Sequence, residues 1–233
     1  MTDDELAARL ATRAGDLLLD VRADFADATV EERKAAGDKQ SHDFLMAELA
    51  AQRPGDAVLS EEGVDDPARL RAERVWIVDP LDGTGEFSEL GRDDWAVHVA
   101  LWQAGELVAG AVALPAQNTT LSTPDVAAPR ARFDVAGGPA PEDGPPRIVV
   151  SRTRPPAVAL AVRDALDGTL VGMGSAGAKV AAVIRGVADV YVHAGGQYEW
   201  DSAAPVAVAR AAGLHTSRID GSPLVYNSAD PRL

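Results

Sequence analysis

The sequence predicts a mixed α/β protein in which helices and strands alternate along one chain. Three observations carry this. Leu6, Leu10, Leu17, Leu18, Val21 and Phe25 recur at helical spacing near the N-terminus. Short apolar runs rich in β-branched and aromatic residues follow at 57–60, 75–78, 95–102 and 107–114. From Arg147 onward, strand-like runs are separated by alanine-rich helical stretches.

Each element has its own signal. Residues 3–27 read as one long amphipathic helix, with alanines between the leucines. A second helix is expected after Gly37-Asp38-Lys39-Gln40-Ser41, with Phe44, Leu45 and Leu49 inward, and Asp38 is suited to cap it. Pro54-Gly55-Asp56 turns the chain into a strand at 57–60 that ends at Glu61-Glu62. The strand Val75-Trp76-Ile77-Val78 is expected to stop at Asp79-Pro80, because proline gives a ladder no N–H. Asp82-Gly83-Thr84 is a turn cluster that can open a helix. Residues 95–102 and 107–114 read as a hairpin. His98 falls inside that alternation and is expected to be a core or sheet-surface histidine rather than a catalytic one. Residues 124–146, rich in Pro, Ala and Gly, are expected to form a loop or linker between two units, 1–123 and 147–233. Beyond it, 147–151 and 189–193 read as strands. Helices are expected at 155–167, where Pro155-Pro156 suits a helix start, and at 202–212.

Composition narrows the functional classes. The 233 residues are 46% hydrophobic and 25% charged, which allows one large domain or two small ones around a substantial core. No apolar run reaches the roughly 18 residues of a membrane span. No basic segment followed by an apolar one opens the chain, so no secretory signal is expected. There is no cysteine. That excludes disulfides, thiolate metal sites and a cysteine nucleophile, and fits a reducing cytoplasm. A net charge of −14 argues against a nucleic-acid partner, which wants a basic face. It does not exclude a small anion. Exposed charges are screened over about 8–10 Å at physiological salt, and a bound dication dominates its own pocket.

Several short patterns carry chemistry. Asp79 and Asp82 sit close together at the end of a buried strand, where two like charges are costly unless a cation lies between them. Solvated Asp-Pro and Asx turns are the plain alternative. Glu61-Glu62 in isolation reads as surface charge; about twenty residues ahead of D-P-L-D-G-T it reads as a source of ligands. Gly172-Met173-Gly174-Ser175-Ala176-Gly177 matches the dinucleotide pattern G-x-G-x-x-G. It sits late, with no long βαβ repeat and too little chain after it for a two-domain dehydrogenase. Small residues at a helix start instead offer backbone N–H groups and a positive dipole to an anion. Lys179, one of three lysines, falls beside them. An ordinary turn with a surface lysine is the alternative there. Asp201 can cap the helix that follows it. The histidines lack the paired spacing of a zinc site.

The run Asp79-Pro80-Leu81-Asp82-Gly83-Thr84 resembles the D-P-[IL]-D-G-T signature of the inositol monophosphatase-like phosphatases. Leu59-Ser60-Glu61-Glu62 and Trp200-Asp201-Ser202-Ala203-Ala204 resemble that family's other two metal motifs, in the family's order. The similarity covers most of the chain and is closest to the actinobacterial CysQ phosphatases. It implies the layered αβαβα sugar-phosphatase sandwich, with the site between an N-terminal half and a smaller α/β half. It implies two or three Mg²⁺ ions held by Glu61, Asp79, the Leu81 carbonyl, Asp82 and Asp201. These are hard oxygen donors that suit magnesium. By the same resemblance Asp79 bridges two ions. Glu61 and the Leu81 carbonyl complete the first, and Asp82 and Asp201 the second. Thr84 and Asp38 then orient the attacking water. Gly83 and Thr84 offer N–H groups to the phosphate, and Ser175, Gly177 and Lys179 line the substrate pocket.

The substrate so implied is a small phosphorylated molecule, 3′-phosphoadenosine 5′-phosphate, hydrolysed to AMP and phosphate. Inositol monophosphates and fructose 1,6-bisphosphate are alternatives on the same site. A non-catalytic nucleotide-binding protein of the same fold is the alternative from another class. A homodimer and inhibition by lithium are implied as well. Two departures stand out. Related nucleotide phosphatases often carry a basic residue just after D-G-T, where this chain has Gly85. Relatives also continue for a further strand and helix beyond the place where this sequence stops at Leu233. A shortened chain, or a differently covered sheet edge, is therefore expected.

Overall fold

Two helices with reciprocal caps begin the chain in the computed structural model, which describes residues 1–126 and 144–233. In α1 (Asp3–Asp24) the Thr2 hydroxyl accepts from the Glu5 N–H while the Glu5 carboxylate accepts from the Thr2 N–H. Thr29 and Glu32 repeat the device at the start of α2 (Val30–Gln52). This corrects the expectation that the second helix begins near Asp38. The capping box at Thr29 starts it earlier, and Asp38 lies inside α2, where it caps nothing. The first turns of α2 carry Glu31, Glu32, Arg33 and Lys34, and so show no apolar stripe.

A five-stranded sheet follows, β1 (Ala57–Ser60), β2 (Arg74–Asp82), β3 (Ala96–Gln103), β4 (Glu106–Leu114) and β5 (Thr119–Ser122), in that spatial order. β1 and β2 are parallel and the other pairs antiparallel. β2 does not stop at Asp79-Pro80 as expected; it continues to Asp82. The reason is local. β1 ends at Ser60, opposite Val78, so beyond that point β2 is an edge on one side. On the other side its register with β3 shifts between Asp79 and Asp82. A proline is tolerated at such an edge and irregularity. α3 (Thr84–Ser88) comes next after β2, and α4 (Thr123–Val126) follows β5. Of the linker expected at 124–146, residues 127–143 lie outside the described residues.

The last third alternates β6 (Arg147–Ser151), α5 (Ala157–Leu166), β7 (Thr169–Met173), α6 (Ala176–Ile184), β8 (Val190–Tyr191) and α7 (Glu199–Ala211). The strands form a parallel sheet in the order β7-β6-β8. β8 is shorter than the expected 189–193, and α7 begins earlier than 202.

Strand alternation sorts these elements into five layers, α-β-α-β-α. Trp76, Val78, Val97, Val99 and Leu101 face α1 and α2. Val75, Ile77, Ala96, Ala100 and Val112 face the opposite way, onto Ala178 and Ala181 of α6 and Ala203, Ala204 and Val208 of α7. The other flank of α6 packs Ala182 against Val149 of the small sheet. Ile148 and Val150 cover that sheet's far face with Ala159 of α5. Each fully buried Leu, Ile or Val adds roughly 1.5–3 kcal/mol by leaving water, so the large sheet is the chief source of stability. α7, expected within a separate C-terminal unit, packs on β2, β3 and β4 of the large sheet. The residues after α7 are pinned rather than paired as a strand. Buried Arg69 bonds the Asn227 side chain and the Ser228 carbonyl, and the Tyr226 hydroxyl meets Ser202. Among the described residues, no helix is long and apolar enough to cross a membrane.

Candidate active site

The end of β2 delivers the first two acids. Asp79 and Asp82 are 1% and 7% exposed. Asp201, at the start of α7, completes a group in which one carboxylate oxygen from each residue lies within 4.8 Å of the others. Asp201 is not the residue at the N-cap. It occupies the third helical position, and its Oδ2 accepts from the Tyr198 N–H at 2.6 Å, which turns the carboxylate toward the helix start. The bend that presents Asp79 and Asp82 is gripped from α2. The Ser41 hydroxyl donates to the Pro80 carbonyl at 2.7 Å, and a Cβ on Gly37 would strike Phe87 and Leu81 at 2.7 and 2.9 Å. Gly83 adopts a φ of 87°, the left-handed region glycine enters most easily, and there the chain turns from β2 into α3.

The electrostatics separate these acids. Burial, followed by the charges of Glu61, Asp82 and Asp201, pushes Asp79 well above the usual carboxylate range. Inside the bend the Leu81 N–H donates to Asp79 Oδ1 at 3.0 Å. Glu61 stands beside Asp79, close enough for the two carboxyls to share a proton, and burial raises it to about 7. Glu61 is open to solvent on one face and lies outside the group formed by Asp79, Asp82 and Asp201. Asp201 is raised to about 6, by burial and then by Asp82. Asp82 is the exception. Burial alone would raise it, but His98, the Ser175 hydroxyl and Lys179 together hold it well below the usual range.

Asp82 owes this to the loop between β7 and α6. The Ser175 hydroxyl and the Gly177 N–H donate to its Oδ2 at 2.5 and 2.6 Å, and the Ala176 N–H to Oδ1 at 3.1 Å. The glycine loop does open a helix and bind an anion, as its composition predicts, and that anion is the protein's own Asp82. Ser175 holds a φ of 46°, rare for a residue with a side chain. Lys179 is no surface lysine. It is 6% exposed, and its ammonium donates to the Gly174 and Ser175 carbonyls at 3.0 and 2.5 Å. Burial lowers its pKa against the opposing pull of Asp82.

Thr84 and Asp38 also come together. The Thr84 hydroxyl lies 3.3 Å from Asp38 Oδ1 and 3.2 Å from the Leu81 carbonyl. Burial, then the charge of Glu62, raises Asp38 to about 6. Two residues of the site escaped the sequence reading. His98 is fully buried as expected of a core histidine, yet its Nε2 lies 3.1 Å from Asp82 Oδ2. Buried Asp94 accepts from the Gly174 N–H at 2.5 Å and from Arg92, fixing the glycine loop from its other end. Strand alternation gave the only clue to His98, and nothing local marks Asp94.

The donor set fits magnesium. Buried carboxylates crowd together with raised pKa values, and no arginine or lysine is paired to Asp79 or Asp201 among the described residues. The like charge calls for a hard cation.

The model of the inositol monophosphatase family matches residues 2–134 and 146–232. The chain is 54% identical over 227 residues to a 3′-phosphoadenosine 5′-phosphate phosphatase of Mycobacterium bovis, covering 94% of this chain and 82% of the relative. It is 32% identical to the 3′(2′),5′-bisphosphate nucleotidase CysQ of Escherichia coli, covering 97% of this chain and 94% of that protein. The crystal structure of CysQ from Bacteroides thetaiotaomicron superposes with a TM-score of 0.77 at 27% identity, over 97% of this chain and 93% of that one. Inositol monophosphatase II of Staphylococcus aureus shares the fold at a TM-score of 0.75 and 19% identity, over 96% and 84% of the two chains. Five layers, acids from β2 and α7 meeting at one point and a family match along nearly the whole sequence lead to one assignment: the chain belongs to the inositol monophosphatase family of phosphatases.

Proposed function

We propose that this protein is a Mg²⁺-dependent phosphomonoesterase that hydrolyses 3′-phosphoadenosine 5′-phosphate to AMP and phosphate. The chemistry rests on one observation, the meeting of Asp79, Asp82 and Asp201 within 4.8 Å. The choice of substrate rests on the mycobacterial relative and on CysQ. Glu61, Asp79 and the Leu81 carbonyl would hold one ion, and Asp79, Asp82 and Asp201 a second. Magnesium bound there polarises a phosphate and makes a nearby water more acidic.

The remaining work falls to the chain. Thr84 has one hydroxyl proton and two acceptors in reach. Given to ionised Asp38, that proton leaves the Thr84 lone pairs free to accept from a water. The pair thereby holds the attacking water and draws off its proton. An Asp38 raised to about 6 lies near the working pH, as a general base should. The first turn of α3, from Gly83 and Thr84, has no side-chain cap and leaves its N–H groups for the phosphate. Ser175 and Gly177 give their donors to Asp82, so their part in the substrate pocket is to shape its wall. Lys179 contributes positive field from behind the loop. The proposal extends to a cytoplasmic homodimer inhibited by lithium.

Phosphate release from 3′-phosphoadenosine 5′-phosphate, inositol 1-phosphate and fructose 1,6-bisphosphate, with Mg²⁺ and with chelator, tests this reading. The nucleotide should be hydrolysed fastest and only with metal. Faster release from either sugar phosphate would reassign the substrate, and undiminished release in chelator would overturn the mechanism.

A further inference from the structure

His98 touches β2, the loop before α6 and the start of α7, and the proposed reaction gives it no task. It sits on β3 directly opposite Asp79 in the β2–β3 register, between Ala96 and Ala100 on the face turned toward α6 and α7. Those alanines leave room for the ring. Its Nδ1 lies 3.1 Å from the Trp200 carbonyl, in the first turn of α7 and one residue before Asp201. A carbonyl can only accept, so Nδ1 carries a proton and donates it there. The same atom is 3.9 Å from Asp79 Oδ2. On the opposite edge of the ring, Nε2 lies 3.1 Å from Asp82 Oδ2, off the line of a well-directed hydrogen bond. A Cβ on Gly177 would come within 2.1 Å of Nε2, so the loop before α6 closes directly onto the ring.

We propose that His98 is a positioning residue: one rigid ring, wedged between β2, the β7–α6 loop and the start of α7, that sets the separation of Asp82 and Asp201. This rests on the reading of those acids as magnesium ligands. Three facts converge on it. The ring is completely buried, and a buried imidazole needs partners. Its two nitrogens face the carboxylate of one ligand and the backbone beside another. The chain keeps glycine where any side chain would displace it. Residues that orient ligands from behind typically change metal affinity by about 10–100-fold when replaced.

The test measures Mg²⁺ binding by calorimetry on the full chain, together with the Mg²⁺ dependence of phosphate release. Wild type is compared with His98→Leu, His98→Gln, Val99→Ala and Asp79→Asn. Val99 neighbours His98 but faces α1 and α2, so its truncation reports loss of packing alone. His98→Leu should weaken Mg²⁺ binding at least tenfold while leaving KM for the nucleotide at saturating metal within about twofold. His98→Gln, which can still donate to the Trp200 carbonyl, should recover part of the affinity, and Val99→Ala should match wild type. The proposal is overturned if His98→Leu binds Mg²⁺ as wild type does, or if Val99→Ala loses as much. If wild type binds no Mg²⁺, or Asp79→Asn binds it equally well, the reading of the acids as ligands fails instead.

Discussion

The two sheets of this protein are built to different standards, and the site takes something different from each. In the large sheet, Val75, Trp76, Ile77, Val78, Val97, Val99 and Leu101 are fully buried, with helices on both faces. In the small sheet only β6 is well covered; β7 and β8 are half-buried or exposed along their length. A groove of about 900 Å³ opens beside it, lined by Val158, Val162, Val180 and Val190 among others. The carboxylates ride on the better-packed part, since β2 carries Asp79 and Asp82 and α7, with Asp201, packs on β2, β3 and β4. The thinner part sends one loop across to hold Asp82. The contrast appears again in the acids themselves. Asp79, surrounded by other carboxylates, is raised by burial, and Asp82, three residues later, is lowered by donors from the far loop and His98.

Removing the acid at the centre breaks this arrangement most severely. Asp79→Asn keeps size and shape but removes the charge that both ions would share. Phosphate release should fall on the order of a thousandfold or more, about 4 kcal/mol in the barrier. The metal-free variant should also melt higher than metal-free wild type at pH 8, because one of the crowded buried charges is gone. A variant that kept wild-type turnover would show that the cluster is not the seat of the reaction.

What the sequence reveals follows the same division. D-P-L-D-G-T is legible because one continuous stretch carries its strand, bend and helix start. Asp201 is legible for the same reason. The position of Asp38 inside α2 is not, because a capping box at Thr29 and Glu32 starts the helix on charged residues with no apolar stripe. The passage of β2 through Pro80 depends on where a neighbouring strand ends, which β2's own residues do not encode. The loop donors to Asp82 stand more than ninety residues downstream, so an anion-binding loop is visible in Ser175–Gly177 while its anion is not. Alternation places His98 on an inward face and says nothing of what waits there.

Glycines at the junction sharpen the comparison. Gly177→Ala would drive a methyl to 2.1 Å from His98 Nε2, an atom fixed in the core of the large region. Overpacking of this kind costs about 1–3 kcal/mol, and the loop should also slip from Asp82. Gly174→Ala meets the Glu86 side chain at 2.2 Å, a clash with a flexible chain on α3 rather than with a ring seated in the large sheet. Thermal melts and phosphate release should therefore rank Gly177→Ala well below Gly174→Ala in both stability and activity. Equal losses would mean that the loop, rather than its seat on His98, sets the cost.

The acids with raised pKa values make a smaller effect with a definite sign. Asp79, Glu61, Asp201 and Asp38 have folded pKa values raised above the unfolded ones, to about 7 for Glu61 and about 6 for Asp201 and Asp38. A raised acid binds its proton more tightly in the folded state. Its contribution is present below the unfolded pKa and is lost as pH rises through the folded value. His98, also raised, loses its contribution in the same direction. Asp82, lowered, contributes throughout this window and is lost only at much lower pH. The metal-free protein should thus melt progressively lower between about pH 5 and pH 8. Mg²⁺ should raise the melting temperature more at pH 8 than at pH 5, since its ligands must be deprotonated. A metal-free melting temperature that rose with pH across this window would contradict the crowding of the acids.

The smallest expected effect tests what holds the two regions together. Arg152, just after β6, reaches across to Glu86 of α3 at 3.0 Å, and the arginine side chain is 35% exposed. It is a bond between the thin sheet and the robust one, and it looks like a strut. Exposed pairs of this kind are worth only about 0.2–1 kcal/mol, because solvent screens them and the long side chains lose freedom. The contacts made by Asp82 with Ser175, Ala176 and Gly177 are buried and bear on a charge, so each is worth more. Arg152→Ala should therefore lower the melting temperature by no more than a few degrees and leave phosphate release within about twofold. A loss of several kcal/mol would place the joint between the sheets at the surface pair, and the grip on Asp82 would then be a consequence of their docking instead of its cause.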